Sequence, residues 1–261
     1  MNRSTGELKG INISKSFPQK ETKPKKVLEN CSFQFESSRL NVVMGTSGCG
    51  KSTLANILAG YLRPDNGSVT LDGQIITKPD SDRLMVFQET ALWPWMSIEN
   101  NIIFGPVAKG LEKKKAKKEA SELLLRFGLE DFKNKYPSQL SGGMMRRAEL
   151  AQALINRPKV MILDEPFRGL DVMTRELMQE YYLKLFEEIK LSTVFITAEL
   201  DEALILADKI FIMSDSPGRI VQVIDVDLPR PRDVSSVTTK RYAELEQVAL
   251  KALHSSHGEK I

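Results

Sequence analysis

The chain has 261 residues, 41% of them hydrophobic and 27% charged, which is typical of a globular protein with one large domain, or one domain with an inserted subdomain. A net charge of +3 is too small to indicate nucleic acid as a partner. Residues 1–10 are polar and no apolar run approaches the ~18 residues of a membrane span, so we expect neither a secretory signal nor a transmembrane helix. Two cysteines in such a chain favour a reducing compartment over a disulfide framework.

A lysine-rich surface loop separates the first two predicted strands. Residues 7–14 predict one strand, and Cys31, Phe33 and Phe35 alternate with polar residues, which indicates a second, half-buried strand. Phe17 follows the first strand. A lone phenylalanine usually belongs to a core, but an exposed one could stack on a nucleotide base.

The most specific motif is a glycine-rich turn between a buried apolar run at residues 40–44 and a helical pattern. Its glycines would allow backbone N–H groups to surround an anion, and the helix N-terminus would add its positive dipole end. Lys51 would reach the β- and γ-phosphates, and the Ser52 hydroxyl would bind Mg²⁺. The sequence therefore predicts a P-loop that binds a nucleoside triphosphate. The predicted loop is Gly45-Thr46-Ser47-Gly48-Cys49-Gly50-Lys51-Ser52-Thr53.

Cys49 lies inside this loop, beside the predicted helix N-terminus. That position could lower the pKa of its thiol and make it reactive. The simpler interpretation is a small residue that fills the loop.

The segment after the P-loop helix contains a predicted hairpin over residues 68–77 and a short buried strand over residues 84–87. The strand ends at Gln88. A glutamine at a strand end can contact the γ-phosphate or Mg²⁺ and report it to a neighbouring segment, although the spacing alone leaves this open.

Helical patterns replace strand patterns from residue 89 to residue 156, which predicts an inserted helical subdomain. Two tryptophans in residues 92–96 are either core or a contact surface for another protein. The lysine run at residues 113–118 is interpreted as a solvated helix face, since no aromatic residues interleave it. Ser141-Gly142-Gly143 opens a further helix and forms a second predicted anion site.

Residues 160–165 form a buried strand pattern that ends in two carboxylates. After a P-loop, Asp164 suits the binding of Mg²⁺ through a water molecule, and Glu165 suits the polarisation of an attacking water. Asp171 begins the next predicted helix, and strands are predicted at residues 193–197, 209–214 and 220–228. A last helix, near residues 239–254, follows the predicted end of the compact part at residue 232.

These motifs, in this order, resemble the ATP-binding subunits of ATP-binding-cassette (ABC) transporters over residues 7–232. The P-loop, Gln88, Ser141-Gly142-Gly143, Asp164-Glu165 and Asp171 stand where that family has its Walker A, Q-loop, signature, Walker B and D-loop. The resemblance implies an α/β fold: a RecA-like P-loop NTPase core with an antiparallel β subdomain, carried by residues 1–88 and 157–232. It also implies a helical subdomain at residues 89–156, and a tail helix at residues 233–261 follows.

The closer resemblance, through residues 82–89, 92–95 and 217–220, is to importers of nitrate, sulfonates, taurine and similar solutes. It implies two ATPase subunits facing head to tail, with each Mg²⁺–ATP between one P-loop and the partner's Ser141, Gly142 and Gly143. Phe17 would stack on adenine, and Gln88 would join the γ-phosphate and Mg²⁺ to a permease dock at residues 92–96. The chain would then lie peripherally on the cytoplasmic face of the membrane, with integral permease subunits as partners and an extracytoplasmic solute-binding protein as an indirect one.

Two positions depart from the family pattern. Ala198 stands where the family has a switch histidine that hydrogen-bonds the γ-phosphate, and Arg146 stands where a glutamine is usual. A lost catalytic hydrogen-bonding group costs about 10²–10³ in rate, so we expect slow hydrolysis at this chain's own P-loop. This suggests an asymmetric pair in which a histidine-bearing ATPase uses Ser141-Gly142-Gly143 of this chain.

Two other functions remain open at this stage. A soluble cassette ATPase of DNA repair or translation is opposed by the dock at residues 92–96. A nucleotide-sensing subunit with little hydrolysis is supported by Ala198 and opposed by Glu165. The transported solute and the identity of the second ATPase do not follow from the sequence.

Overall fold

The computed structural model describes residues 6–19, 23–232 and 234–257, which form two sheets and a set of flanking helices. The strands are β1 (Leu8–Phe17), β2 (Lys25–Phe35), β3 (Leu40–Met44), β4 (Asn66–Leu71), β5 (Gln74–Ile75), β6 (Arg83–Val86), β7 (Val160–Asp164), β8 (Ser192–Thr197), β9 (Lys209–Met213) and β10 (Ile220–Asp225). The α-helices are α1 (Lys51–Ala59), α2 (Ile98–Ala108), α3 (Lys113–Arg126), α4 (Gly142–Leu154), α5 (Val172–Ile189), α6 (Leu200–Leu206) and α7 (Lys240–His257). Short 3-10 helices lie at Glu130–Phe132, Pro137–Gln139 and Val234–Thr238.

The larger sheet has six strands in the order β10-β9-β3-β8-β7-β6, all parallel except the edge strand β10. Every residue of β3, β7 and β8 is buried, because helices cover both faces of this parallel sheet. On β3, Leu40 and Val42 face the core formed with α5 and α6, whereas Val43 faces the core formed with α1. Since β3, β8 and β7 are neighbours, their carboxyl ends lie side by side at one edge of the sheet.

The smaller sheet is antiparallel, in the order β2-β1-β4-β5. Phe33 and Phe35 of β2 stack with their ring centroids 4.5 Å apart, and Phe35 meets Phe211 of β9 edge-on at 4.7 Å. This aromatic contact joins the two sheets.

Helices α2, α3 and α4 lie between β6 and β7 in the chain, although these strands are neighbours in the sheet. They bury Ile102, Ala120 and Leu150 among other apolar side chains. The connection is therefore a helical insertion in an otherwise continuous parallel sheet, and it lies within residues 89–156. In the described part of the chain, no helix has the length and apolar character to cross a bilayer.

Helix α7 packs on the body of the protein, beyond the end of the compact part that the sequence predicts at residue 232. It buries Tyr242, Leu245 and Ala249 in the main core, and the Tyr242 hydroxyl donates to Asp201 Oδ1 at 2.8 Å. Arg232, itself buried, donates to backbone carbonyls that include Val226 at 3.0 Å. The tail helix thus shares the core of the domain.

Candidate nucleotide-binding and catalytic site

The predicted P-loop connects β3 to α1 at the carboxyl edge of the large sheet. Gly48 and Gly50 have φ angles of 83° and 111°, which glycine adopts without strain. Gly50 is the N-cap of α1, and its carbonyl accepts from Leu54 N at 2.9 Å. The loop therefore presents its backbone N–H groups at a helix N-terminus, as anion binding requires.

Lys51 is held across this loop. Its Nζ donates to the carbonyls of Gly45 at 2.8 Å and Thr46 at 3.0 Å, and its side chain is 5% exposed. The Thr46 hydroxyl donates to Asp215 Oδ1 at 2.5 Å, which fixes the start of the loop to the segment after β9. Ser47 lines the adjacent cavity, and Thr53 lies half-buried in the first turn of α1.

Asp164 ends β7 beside Ser52. Burial raises the pKa of the Asp164 carboxyl above its ordinary value, and a hydrogen bond with the Ser52 hydroxyl opposes that rise. Its Oδ1 is buried and has no hydrogen-bond partner. An unpartnered carboxylate oxygen next to a hydroxyl fits a hard cation such as Mg²⁺. The described residues contain no cluster of three acidic, histidine or cysteine ligands.

Glu165 follows directly and has a φ angle of 45°, a conformation that is rare for a non-glycine residue and that concentrates at functional sites. Its N–H donates to the carbonyl of Ile196 at 2.9 Å. Glu165 Oε1 lies 3.4 Å from Lys51 Nζ, and Oε2 accepts from Arg168 Nη1 at 2.7 Å. Arg168 is not among the residues predicted from the sequence. Its spacing of three residues from Glu165 is the feature that could have indicated this ion pair.

Gln88 lies after β6, is exposed, and lines an open cleft with Asp164. Arg146 on α4 donates to the carbonyls of Phe87 and Gln88, both at 2.8 Å. Arg146 also pairs with Glu149 at 2.8 Å, and Glu149 Oε1 accepts from Ala91 N at 2.6 Å. Burial lowers the pKa of Arg146 and raises that of Glu149. This pair, which sequence reasoning missed, ties α4 to the segment that carries Gln88.

Ser141 is the N-cap of α4, and its Oγ accepts from Met144 N at 3.3 Å. Gly142 is exposed; Gly143 is buried, and a Cβ there would lie 2.9 Å from Thr174 Cγ2. The cavity lined by Ser141 and Gly143 is completed by α5 residues. The second predicted anion site therefore opens onto a different cavity from the one that Ser47 and Glu165 line.

Phe17 ends β1 and is 38% exposed. It pairs in register with Lys25 of β2. Val27 lies two positions further along β2 and contacts Gly50: a Cβ added to Gly50 would lie 3.0 Å from the Val27 carbonyl oxygen. Two strand positions correspond to roughly 7 Å. The exposed Phe17 therefore belongs to the strand pair whose Val27 contacts Gly50 of the P-loop.

Cys49 is 1% exposed, and burial raises the pKa of its thiol although Lys51 opposes the rise. The hypothesis of a lowered pKa at Cys49 is therefore wrong, because burial outweighs the nearby charge. Gly218 packs against the same residue: a Cβ on it would lie 2.1 Å from the Cys49 carbonyl oxygen. Gly218 N also donates to Val27 O at 2.8 Å, so the turn between β9 and β10 supports the P-loop.

The profile of the ABC transporter family matches residues 28–168. The chain belongs to this family. It is an ATP-binding-cassette ATPase, as the predicted fold class and the ordered motifs indicated.

Curated relatives of this cassette include ATP-binding proteins named for transport. An aliphatic sulfonates import ATP-binding protein of Bacillus cereus is 40% identical over 92% of this chain and 92% of its own length. A taurine import ATP-binding protein of Roseobacter denitrificans is 44% identical over 80% of this chain and 78% of its own. A bicarbonate transport ATP-binding protein of Synechocystis is 38% identical over 97% and 91%.

A solved structure gives the same fold. A dimeric ATP-binding cassette in a post-hydrolysis state, bound to ADP and Pi, superimposes with a TM-score of 0.73 at 28% identity. The match covers 84% of this chain and 98% of that one. The predicted P-loop NTPase fold is thereby confirmed.

Ala198 follows β8 and lines a cavity of about 150 Å³ next to the P-loop of the cassette. Its methyl group supplies no hydrogen-bond donor to this cavity. The full lining is Ser47, Glu165, Phe167, Arg168, Arg175, Thr197, Ala198, Glu199 and Glu202.

The segment at residues 92–96 is held to α2 by hydrogen bonds and an aromatic contact, and part of it is exposed to solvent. Asn101 accepts from Trp93 N at 2.7 Å and donates to Met96 O at 3.1 Å. Trp93 packs edge-on against Phe104 with ring centroids 3.9 Å apart, while Trp95 is 69% exposed. The two predicted roles are therefore divided: Trp93 anchors the segment, and Trp95 presents an apolar surface.

Proposed function

We propose that this chain is the ATP-hydrolysing subunit of a membrane importer for a small solute. The observation that carries the proposal is the convergence of Lys51, Ser52, Asp164 and Glu165 at one edge of the sheet. Lys51 would bind the β- and γ-phosphates, and Glu165 would accept the proton of the attacking water. Ser52 and Asp164, with Gln88, would hold Mg²⁺, which neutralises charge on the phosphate oxygens when it is bound.

A second subunit would complete each nucleotide site. Ser141, Gly142 and Gly143 form a helix N-terminus on a different cavity from the P-loop, so one chain offers two half-sites for phosphate. A dimeric cassette among the structural neighbours supports the pairing of two subunits, for which we propose a head-to-tail arrangement. In this arrangement, one subunit's Ser141-Gly142-Gly143 faces the nucleotide on the other subunit's P-loop.

The relatives support the importer role and a class of solute. Their names specify sulfonates, taurine and bicarbonate, and we propose a similarly small, charged solute, of the nitrate, sulfonate or taurine kind. The exposed Trp95 surface would receive integral permease subunits at the cytoplasmic face of the membrane. An extracytoplasmic solute-binding protein would contact the permease and not this chain.

The two nucleotide sites of the dimer would differ. Ala198 leaves the cavity beside this chain's P-loop without the hydrogen-bond donor expected there, so hydrolysis on this P-loop would be slow. A partner ATPase with a histidine at that position would hydrolyse the ATP that contacts Ser141-Gly142-Gly143 of this chain.

A mixing experiment tests the composite site. Lys51→Ala removes the P-loop half, whereas Ser141→Asp keeps an equally good N-cap but places a carboxylate against the phosphates. We expect each variant alone to lose ATP turnover and an equimolar mixture to regain part of it, because mixed dimers contain one intact pair of halves. Ser121→Asp, on the exposed face of α3, controls for added charge. Wild-type turnover by Ser141→Asp alone would refute the composite site.

A further inference from the structure

The carboxylate of Glu165 lies between two cations. Lys51 Nζ is 3.4 Å from Oε1, and Arg168 Nη1 is 2.7 Å from Oε2. The Lys51 side chain is 5% exposed, whereas that of Arg168 is 58% exposed. Both carboxylate oxygens of the group proposed to activate water are therefore turned toward positive charge and not toward the P-loop cavity alone.

The backbone holds Arg168 in this position. Arg168 N donates to the carbonyl of Glu165 at 3.1 Å, which closes a tight turn directly after β7. Glu165 itself is fixed by its hydrogen bond to Ile196 O and by its unusual φ angle of 45°. The Arg168 guanidinium consequently reaches Glu165 without any contribution from the P-loop.

The two cations differ in what nucleotide binding does to them. Lys51 belongs to the P-loop and would turn to the phosphates of bound ATP. Arg168 belongs to the turn after β7, so its pair with Oε2 would persist. A charge-assisted hydrogen bond orients a carboxylate oxygen toward its donor, so Oε2 would be less available to a water beside the γ-phosphate.

We propose that Arg168 is a positioning residue that holds Glu165 away from the attacking water and thereby slows hydrolysis on this chain's P-loop. This inference rests on the proposed ATPase function and adds a second cause of slow turnover to the one at Ala198. The Ala198 methyl group lines the same cavity and supplies no hydrogen-bond donor to it.

The experiment also distinguishes the opposite role for Arg168, in which it promotes hydrolysis. Its guanidinium lines the same cavity as Ser47 and Ala198, so it could instead donate to the γ-phosphate in place of the absent histidine. If Arg168 donates to the γ-phosphate, its removal lowers ATP turnover. If Arg168 holds Glu165 away from the water, its removal releases Glu165 and raises ATP turnover.

The experiment compares Arg168→Ala, Arg168→Lys and wild type, as purified full-length chains, by steady-state ATP turnover with Mg²⁺. We expect Arg168→Ala to raise kcat about two- to five-fold with KM for ATP unchanged, the range for loss of one exposed ion pair. Arg168→Lys should restore the slow rate, because an ammonium group can replace the contact with Oε2. Adding Glu165→Gln should abolish turnover in every variant.

The same comparison in the Ala198→His background gives the ratio of kcat without Arg168 to kcat with Arg168 at a faster basal rate. A kcat that stays constant or falls in Arg168→Ala overturns the proposal, and a fall that Ala198→His reverses assigns the donor role to Arg168. Binding of a fluorescent ATP analogue is measured in parallel. Failure of wild type to bind the analogue would instead refute the proposed function, so the two failures are distinguishable.

Discussion

Asp164, which we propose as a Mg²⁺ ligand, carries a structural cost in the folded protein. It is buried, and one of its oxygens has no hydrogen-bond partner. Burial raises the pKa of its carboxyl in the folded protein, so the folded state retains this proton at a pH where the unfolded state has released it. The free energy of unfolding therefore falls as pH rises between the unfolded and folded pKa values, and the loss is complete above the folded one.

Asp164→Asn should accordingly raise the melting temperature of the nucleotide-free protein at neutral pH and abolish its stabilisation by Mg²⁺–ATP. Each kcal/mol corresponds to roughly 2–4 °C for a chain of about this size. Scanning calorimetry with and without Mg²⁺–ATP measures both effects, with the exposed Asp131→Asn as control. A lower melting temperature without nucleotide, or undiminished stabilisation by Mg²⁺–ATP, would contradict this role.

Residue identities at the site follow largely from the sequence, whereas several contacts do not. Lys51 and Asp164 lie in short motifs whose chemistry is local. The pairing of Arg168 with Glu165 depends on side-chain directions in a tight turn, which spacing alone does not define. The contact of Gly218 with Cys49 joins residues far apart in the chain, so it becomes visible only once the sheets are assembled.

At the scale of elements, the ion pair of Arg146 and Glu149 connects α4 to the segment after β6. Both side chains are buried, and together they bind the backbone of Phe87, Gln88 and Ala91. The N-terminus of α4 carries Ser141. The pair therefore gives a direct mechanical link between the proposed signature and the proposed Q-loop.

Removing one partner should be far more damaging than removing both. Glu149→Ala leaves the Arg146 charge buried and should cost about 3–5 kcal/mol, whereas the apolar replacement Arg146→Met with Glu149→Leu should cost much less. Urea unfolding measures both free energies, and ATP turnover of the double variant reports the lost link to Gln88. Equal destabilisation by the single and double changes would show that the pair is not acting as a unit.

The positions of helices and strands follow from sequence periodicity, except where pairing with another strand extends a strand or where a helix packs on the core. The predicted strand at residues 7–14 continues as β1 to Phe17, because residues 15–17 pair with β2. Asp171 caps α5 as expected, with Oδ1 accepting from Thr174 N at 3.0 Å. The amphipathic pattern predicts α7 as a helix, but its burial against the core depends on distant apolar residues of α6 and β9.

At the scale of the whole molecule, the two proposed phosphate-binding half-sites and the exposed Trp95 surface support our proposal of a subunit that would work only in an assembly. Ala198 makes the two ATP sites of that assembly unequal in our proposal. The part of the slow turnover that we assign to Ala198 can be tested by a single substitution in the purified chain.

Ala198→His should raise ATP turnover of the purified chain by at least tenfold, since a missing catalytic hydrogen bond costs about 10²–10³ in rate. A coupled phosphate-release assay measures the change. Ala198→Gln, which adds a polar side chain without an imidazole, is the matched control. Ordinary turnover by wild type together with no effect of Ala198→His would refute the unequal sites.

The most direct test of the account is to isolate the tagged chain from its native membranes and identify every co-purifying protein by mass spectrometry. We predict a permease together with a second ATPase that has a histidine at the position equivalent to Ala198, and loss of the permease with Trp95→Ser. Recovery of a permease with this chain as the sole ATPase would support the importer function but refute the asymmetric pair. Recovery of no membrane protein at all would contradict the importer function itself.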